Sequence, residues 1–557
     1  MKAFDRVYVE FLIQVMERMG FGYTFLDWIR MLHRSNKACF ILKDRLTDAF
    51  RIIFSVRQGD PIAMILFVIF LEPLLLRIGQ LLPGVWVGGA RITHETFADD
   101  ISGLFRSEAD LFSLMEVMTR FESISGALVN PSKCWALGLG GQWLQVDRVG
   151  IFKFVRELKI LGIYLQADYA SMLTRNWEVV TTKLRKCLIG WQARVLPTLS
   201  QRRDVVEVFG LAKLWYVSQI LPMPDSVVEE VESQVGGFLW KGSHERLAPD
   251  TLMNPPLKGG LGLTDVRAKA DSLLLRTWIR FMMAPRRSVY FESISYWLGF
   301  RLRKTIPWLW GVVASFETPA LLEVVRGLIV RVIGPIHRLD ELGDLTSKVL
   351  YGSLREQPRS MTVEAKRLGM AVEWVVVWRR LEMVRGAVVK DRAFRLLHNV
   401  LPTRQRLFRT NHIEDEFCPS EGVAVDRQGP VLEGAARISK LFVSGPVQDR
   451  THLFCVCRRT VCCWEWVRNV IVWEILPPGI YVSDEELLLL SFPVVEREEV
   501  VVWLVTRYVS WCWDSWRRRT GKLVVREMAA YLCAEYRREV EAGRLLGGVR
   551  SLEQWRV

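Results

Sequence analysis

The spacing of apolar residues changes near residue 165, and this change constrains the fold more than any other feature of the sequence. Before it, helical stretches alternate with short apolar runs that are typical of strands. Phe11 to Met19 has apolar side chains on one helix face, and Ala38–Leu42 has the pattern of a strand. After it, helical spacing dominates to the C-terminus. The sequence therefore predicts an α+β fold for the first part of the chain and predominantly α-helical regions for the rest.

The length of the chain requires several domains. It has 557 residues, whereas a single hydrophobic core stops growing at about 250–300 residues. Breaks in the pattern divide it into four predicted regions: residues 1–165, 166–300, 301–415 and 416–557. The first is the α+β block, the second and third are helical, and the fourth combines a Cys- and His-bearing stretch with Trp-rich helices.

The charge of the chain indicates a polyanionic partner. Lys and Arg outnumber Asp and Glu by 75 to 61, which gives a net charge of +14. Nucleic acid is the commonest partner of such a protein, and an acidic membrane surface is the weaker alternative. The longest apolar run, Ile62–Leu71, stops at Glu72, well short of the roughly 20 residues that a membrane span needs. The sequence therefore predicts no transmembrane helix.

The N-terminus and the cysteines indicate the cellular compartment of the protein. The first residues, Met1 to Arg6, lack the apolar segment of a secretory signal. Without such a signal, the 10 cysteines are expected to be reduced thiols or metal ligands rather than disulfides. We therefore expect an intracellular protein, in the nucleus or the cytoplasm. The sequence contains no feature that indicates an oligomeric state.

Two adjacent carboxylates are the first candidate for chemistry. Asp99 and Asp100 lie between two predicted strands, Thr93–Phe97 and Ile101–Phe105. Carboxylates at the tip of such a hairpin can hold Mg²⁺, which proteins bind through one or two carboxylates plus substrate phosphates. The residues alone fit a second interpretation equally well, because Asp is common in solvated turns.

Two further segments have features of phosphate binding. Gln58 and Gly59 precede Pro61 and an apolar helix, so free backbone amides at a helix start can meet a triphosphate or a base pair. The alternative is an ordinary turn with Pro at the first helical position. Lys133 follows a helix end at Gly126 and can meet phosphate charge, although a surface lysine often has no specific role.

The order of these segments along the chain resembles the order of motifs in a known protein family. Lys2–Val7, Arg57–Pro61, Phe97–Asp100, Asn130–Lys133 and Leu161–Ile163 resemble successive motifs of reverse transcriptases, and more narrowly those of non-LTR (LINE-type) retrotransposons. The similarity extends over residues 1 to about 280 and continues through Trp191, Arg202, Leu214–Tyr216, Phe238–Trp240 and Gly259–Leu263.

The resemblance implies a partial polymerase palm followed by a helical thumb-like region and helical C-terminal regions. The family copies its own RNA into DNA at a nicked chromosomal target, using an RNA template, a DNA primer and dNTPs. Asp99 and Asp100 match the family's acidic pair, which binds two Mg²⁺ ions.

The resemblance also implies roles in nucleotide binding. Phe4 matches the aromatic residue that stacks under the incoming sugar. Gln58 and Gly59 match the loop that contacts the nascent pair, and Lys133 matches the lysine near the triphosphate.

One departure from the family pattern affects activity. The family's first metal-binding Asp lies three residues before the lysine that Lys2 matches, which is before Met1. Fingers and endonuclease would also lie upstream. We therefore expect an N-terminally truncated fragment with little or no polymerase activity alone, since a two-metal site needs its full carboxylate set. The alternative is a non-catalytic nucleic-acid-binding remnant or recruited protein.

The C-terminal cysteines allow a zinc site. Related polyproteins carry Cys-x2-Cys followed by His-x4-Cys, and His452 and Cys457 have the second spacing. Cys418 matches the first ligand, but Glu421 stands at the position of the second. A four-coordinate zinc site would then need a substitute such as Cys455. The alternative is that these thiols are buried packing residues.

Two basic stretches complete the candidates. Arg301, Arg303 and Lys304 form one, and Arg517–Arg519 beside several Trp residues forms the other. Each can contact phosphates or bases, and each also fits a solvated basic helix face.

Overall fold

The computed structural model describes most of the chain. The residues outside the description are 1–2, 34–36, 43–44, 52–55, 57–59, 140–145, 242–246, 287, 310–316, 334–339, 356–371, 402, 404–406, 408–417, 419–422, 427–439, 445–446, 518–522 and 555–557. The chain divides into two compact units. Unit 1 comprises Met1–Val179, Val217–Pro222 and Ala270–Leu354, and unit 2 comprises Val180–Tyr216, Met223–Lys269 and Arg355–Val557. The four-region division from the sequence stays a prediction.

The described elements confirm a mixed helix and strand protein. The α-helices are α1 Val9–Arg18, α2 Tyr23–His33, α3 Ala63–Leu81, α4 Glu108–Ser125, α5 Tyr169–Gln192, α6 Leu199–Val205, α7 Trp215–Ser218, α8 Asp225–Trp240, α9 Pro249–Met253, α10 Val266–Met282, α11 Val289–Leu298, α12 Ala320–Val332, α13 Ser347–Leu354, α14 Trp374–Met383, α15 Ala387–Leu397, α16 Val461–Val470, α17 Asp484–Leu488, α18 Glu498–Arg517, α19 Val525–Glu541 and α20 Arg550–Glu553. The strands are β1 Lys37–Ala38, β2 Ile41–Leu42, β3 Arg45–Leu46, β4 Phe50–Arg51, β5 Val85–Val87, β6 Ala90–Ile92, β7 His94–Phe97, β8 Asp100–Gly103, β9 Trp135–Leu137, β10 Arg148–Val149, β11 Phe152–Val155, β12 Glu157–Ile160, β13 Ile163–Gln166, β14 Val423–Asp426 and β15 Lys440–Ser444.

The strands form small sheets. Antiparallel pairs join β1 to β4, β2 to β3, β5 to β6, β7 to β8, β12 to β13 and β14 to β15. A three-stranded sheet has the order β10-β11-β9, in which β9 runs parallel to β11.

Helices α1, α3 and α4 enclose the core of the N-terminal block in unit 1. Phe11, Phe70 and Phe121, one from each helix, meet edge to face with ring centroids 5.6 Å apart in all three pairs. Helix α4 begins at a capping box between Ser107 and Asp110 and ends at Gly126, whose φ of 77° is left-handed. The cap and the aromatic contacts therefore define where this helix begins, where it ends and which face it buries.

Helix α3 extends beyond the uninterrupted apolar run Ile62–Leu71 and ends close to Ile78, where the sequence predicts its end. It continues through Glu72 and Pro73 to Leu81 and is, by length and composition, one helix that can cross a membrane. Several of its residues, including Phe67 and Phe70, pack into the core of unit 1. Because a core helix passes the same test, we interpret α3 as a core helix.

Two predicted elements are wrong in their boundaries. The apolar spacing of residues 158–165 predicts a short strand, but these residues form the hairpin β12–β13, because Leu161 and Gly162 both have positive φ and turn the chain. The spacing from Arg202 to about Leu221 predicts one helix, but a π-helical turn at Val206–Gly210 and a 3-10 turn at Leu211–Lys213 interrupt it.

The glycine loop at residues 259–262 is explained by close packing in unit 2. A Cβ on Gly259 would lie 2.6 Å from the Trp378 ring, and one on Gly260 would lie 1.9 Å from the carbonyl oxygen of Asn254. His398 stacks on Trp378 and hydrogen-bonds the Gly259 carbonyl at 2.7 Å. Burial lowers the pKa of His398 to about 4, so at neutral pH the uncharged imidazole donates this bond.

A fully buried arginine joins three segments of unit 2. The Arg380 side chain is 0% exposed and donates to the carbonyl oxygens of Leu490 and Phe492 and to the Glu498 carboxylate, at 2.8, 2.5 and 2.9 Å. Its guanidinium also lies 3.9 Å from the centre of the Phe492 ring. Arg380 on α14 thereby ties this helix to α18 and to the segment that precedes it.

We expect Arg380→Met to lower the free energy of unfolding by about 3–5 kcal/mol, because it leaves a partly buried carboxylate and several carbonyls without their donor. Arg379→Met is the matched control. Arg379 approaches the same Glu498 at 3.8 Å but is 55% exposed, so its loss should cost less than about 1 kcal/mol. Urea unfolding of both variants checks this prediction, and equal losses would contradict it.

Candidate functional site

The hairpin β7–β8 in unit 1 carries the predicted acidic pair. Phe97 is opposite Asp100 in the antiparallel register, so Ala98 and Asp99 form a two-residue turn. Asp99 lies in the turn, Asp100 begins the second strand, and both side chains are exposed. The two carboxylates therefore lie at an accessible tip, as the sequence predicts.

The turn itself has an unusual backbone. Ala98 has a φ of 56°, which is left-handed. Hairpin turns with a left-handed first residue normally have Gly there, since a Cβ is strained in this conformation. The sequence contains no signal for this strain, because Ala carries no preference for a left-handed turn.

The hairpin is attached to the core below its tip. Ile101 and Phe105 pack against the hydrophobic core of the N-terminal block. The backbone amide of Leu104 donates to the Thr93 carbonyl at 2.8 Å, which extends the pairing beyond the two strands. These contacts hold the acidic pair on a supported hairpin.

Lys133 lies on a separate, capped turn. It ends the 3-10 helix Pro131–Lys133, whose cap is Asn130; the Asn130 side chain accepts a bond from the Ser132 amide at 3.1 Å. The Lys133 side chain is exposed. Its role near a triphosphate stays a prediction.

The other predicted nucleotide-binding residues cannot be compared with the structure. Gln58, Gly59 and the Phe4 side chain lie outside the described residues. The segment just after Gly59 is described: the Asp60 carboxylate accepts a bond from the Ile62 amide at 3.1 Å and leads the chain into α3. This turn, in which an Asp side chain bonds the amide two residues on, was not predicted from the sequence.

Three predicted metal ligands converge in unit 2. The ligand atoms of Cys418, His452 and Cys457 all lie within 4.8 Å of one another, and all three residues are buried. The two sulfur atoms are 3.6 Å apart. This is close to the roughly 3.8 Å that two Zn–S bonds of about 2.3 Å span at a tetrahedral angle, so the donor set fits a zinc ion.

A π-helical turn brings two of these ligands together. The segment His452–Val456 is π-helical, and the Cys457 amide donates to the His452 carbonyl at 2.7 Å. This i to i+5 bond places residues 452 and 457 on the same side of one turn. The π-helical turn therefore gives the two residues of the His-x4-Cys pair positions from which both can reach one ion.

Cys455 does not join this group within the described residues, contrary to the expected substitution. It lies inside the π-helical turn, where burial raises the pKa of its thiol. Burial likewise raises the pKa of Cys463 to about 11. Gln448 is a further polar side chain beside the group, and its amide nitrogen lies 3.8 Å from the Cys418 sulfur. No spacing rule in the sequence identifies it.

We expect Ala98→Gly to raise the free energy of unfolding by about 1 kcal/mol, because Gly relieves the left-handed strain. Ala90→Gly in the neighbouring hairpin is the control. Ala90 is buried and extended in β6, so Gly there should destabilise by about 0.5–1 kcal/mol. Thermal unfolding measures both, and the same sign for both changes would contradict the assignment of strain to Ala98.

Comparisons with known proteins agree with the motifs. Residues 1–165 match the family model described as reverse transcriptase (RNA-dependent DNA polymerase). The chain is 27% identical over 297 residues to the uncharacterized 149 kDa protein of transposon TX1 from Xenopus laevis, covering 51% of this chain and 22% of that protein. It is 23% identical over 290 residues to the retrovirus-related Pol polyprotein from the type-2 retrotransposable element R2DM of Drosophila melanogaster, covering 49% and 27%.

A third relative is the retrovirus-related Pol polyprotein from the type-1 retrotransposable element R2 of Popillia japonica. It is 28% identical over 284 residues, which cover 49% of this chain and 46% of the relative. The matched segment is thus less than half the length of each of these relatives. Residues 1–165 therefore match the reverse transcriptase family, and the relatives are proteins of non-LTR retrotransposons, which confirms the resemblance seen in the motifs.

Proposed function

We propose that residues 1–165 form the palm of an RNA-directed DNA polymerase and that Asp99 and Asp100 are its metal-binding carboxylates. The observation that carries this proposal is the β7–β8 hairpin, which presents both carboxylates at an exposed tip within the segment that matches the reverse transcriptase family. The substrates would be an RNA template, a DNA primer and dNTPs.

The chemistry divides between the metal ions and the chain. When bound, a Mg²⁺ pair would activate the primer 3′-hydroxyl and stabilise the leaving pyrophosphate. The chain would supply two carboxylates at a fixed separation, because they sit on adjacent residues of a hairpin that is anchored through Ile101 and Phe105. Lys133 would contribute a positive charge for the triphosphate.

We further propose that this chain alone binds nucleic acid without extending a primer. Among the described residues, no His, Cys, Asp or Glu joins Asp99 and Asp100 to make a group of three converging ligands. A site with two carboxylates holds two metal ions less firmly than one with a complete set. The net charge of +14 favours retained binding to a polyanion.

The first experiment measures primer extension and binding together. The chain is incubated with an RNA template annealed to a DNA primer, Mg²⁺ and dNTPs, with an active reverse transcriptase as the reagent control. We expect no extension above that of Asp99→Asn, together with binding that weakens as salt rises. Extension that disappears in Asp99→Asn would overturn the predicted inactivity, and extension that persists would contradict the role of Asp99.

Metal binding tests the carboxylates without relying on activity. Mn²⁺ binding is followed by electron paramagnetic resonance in Asp99→Asn and in the control Glu95→Gln, which removes one exposed carboxylate from the same hairpin. We expect the first change to weaken Mn²⁺ binding and the second to leave it unchanged. Equal effects would contradict the assignment of the metal site.

We also propose that Cys418, His452 and Cys457 hold a structural zinc ion in unit 2. The support is the convergence of their three ligand atoms within 4.8 Å and their burial. A thiolate pair and an imidazole are ligands that zinc prefers, and a bound ion would link the π-helical turn to a residue more than 30 positions earlier.

We expect about one zinc per chain in a metal analysis of the purified protein, falling close to zero in Cys457→Ser. Cys462→Ser is the matched control, because Cys462 is an exposed thiol five residues further along the chain. It should keep its zinc. A stoichiometry near zero in the unchanged chain, or an equal loss in both variants, would overturn this proposal.

A further inference from the structure

An open cleft in unit 1 is lined by three arginines and one phenylalanine. Its lining residues are Phe300, Arg301, Arg303 and Arg326, and its volume is ≈ 320 Å³. The first three follow α11, and Arg326 lies on α12. We refer to these four residues as the arginine cleft.

The backbone that carries Arg301 and Arg303 is attached to the core of unit 1. Leu302 and Ile306 alternate with the basic residues and are 0% exposed, packed in the same core as α11 and α12. The Leu302 amide donates to the Leu298 carbonyl at 2.8 Å, and the Ile306 amide donates to the Leu302 carbonyl at 2.7 Å. The backbone that carries Arg301 and Arg303 is therefore fixed, and little order has to be gained when a ligand binds.

Each guanidinium in the arginine cleft is oriented by a neighbour. Arg303 lies 4.1 Å from the centre of the Phe300 ring and donates to the Phe300 carbonyl at 2.9 Å. Arg326 donates to the Glu323 carboxylate at 2.7 Å, and Arg301 approaches the other oxygen of Glu323 at 3.6 Å. Planar guanidinium groups keep several donors after such contacts.

The charge of the arginine cleft is strongly positive. Glu323 is the carboxylate that pairs with both Arg301 and Arg326, and the exposed Lys304 adjoins Arg303 in the chain. The bond from Arg326 lowers the pKa of Glu323, so this carboxylate stays ionised and offsets part of the positive charge. The remaining charge favours an anion with more than one negative group.

We propose that the arginine cleft binds the phosphodiester backbone of a single-stranded nucleic acid. Arginine forks match phosphate oxygens in pairs, the cleft is open to solvent, and the net charge of the chain favours a polyanion. This inference rests on the proposed function, because the strand would be the template, primer or target strand that the reverse transcriptase domain handles. It adds a contact region outside residues 1–165, at a stretch that the sequence analysis left open between phosphate binding and a solvated face.

The test compares two triple variants of the full chain that carry the same change in charge. Arg301→Ala, Arg303→Ala and Arg326→Ala remove the cleft, whereas Arg280→Ala, Arg286→Ala and Lys348→Ala remove three exposed cations of unit 1 that do not line it. Binding to a 20-nucleotide single strand is measured by fluorescence anisotropy over a salt series. We expect the cleft variant to bind about 10–100-fold more weakly at 0.1 M salt, with a salt dependence lower by about two ions, and the control to change by less than about 3-fold.

The probes identify the source of the phosphates. Single-stranded RNA and DNA of one sequence are compared, with a poly-glutamate peptide as an anion that lacks phosphate. A loss for both strands, or for RNA or DNA alone, supports the proposal and names the strand. Equal losses in the cleft and control variants, or a peptide that competes as well as the strands do, would overturn it.

Two further measurements separate a loss of strand binding at the cleft from unfolding of the variant and from failure of the polymerase proposal. Thermal unfolding should show that both triple variants are folded at the temperature of the binding assay, since the substituted side chains are exposed or, for Arg326, half-buried. Ultraviolet crosslinking of the unchanged chain to a thiouridine-containing strand should label a peptide that includes residues 299–306 or 320–332, and labelling confined to other peptides would overturn the proposal. Neither readout depends on primer extension, so the arginine cleft can be confirmed even where the polymerase proposal fails.

Discussion

Three phenylalanine rings hold together the part of unit 1 on which the acidic hairpin rests. Phe11, Phe70 and Phe121 come from three different helices and contact one another edge to face, an arrangement worth about 0.5–1.5 kcal/mol per pair beyond the area that it buries. Ile101 and Phe105 pack against the same core. The position of two exposed carboxylates is thus determined by apolar contacts beneath them, and a catalytic role requires such a support because geometry at a metal site must be held within a fraction of an ångström.

The sequence predicts the elements of the candidate site better than their backbone geometry. The acidic pair between two strand-like runs correctly predicted a hairpin, since alternation and a polar turn are local signals. The left-handed Ala98 and the π-helical turn at His452–Val456 were not predicted, because residue preferences do not indicate either one. Likewise, Gly162 explains why residues 158–165 form a hairpin, but an isolated Gly also fits a bulge in a single strand. What could not be predicted is therefore the exceptional backbone at each site, where tertiary contacts outweigh local preference.

The buried cysteines of unit 2 differ in what surrounds them, although their burial is similar. Cys455 and Cys463 are buried among apolar side chains, and burial raises the pKa of both thiols, as expected of packing residues. Cys418 and Cys457 are equally buried, yet their sulfur atoms approach to 3.6 Å beside an imidazole. A disulfide would bring them to about 2.05 Å, so the two thiols are not bridged. Convergence rather than burial is therefore the observation on which the proposed zinc site rests.

The arginines of the chain show the same distinction between structure and function. Arg380 is surrounded by carbonyl oxygens and a carboxylate, so nearly every donor of its guanidinium is used inside the protein and none is directed to a ligand. Arg301 and Arg326 share the carboxylate of Glu323, and together with Arg303 they line an accessible cleft on a fixed backbone. Arg380 is the most buried of these four arginines, and it is the most important of them for the stability of the fold. For binding a polyanion the opposite ranking holds, because only an arginine that keeps donors free to meet phosphate, without losing order on binding, adds affinity for a strand.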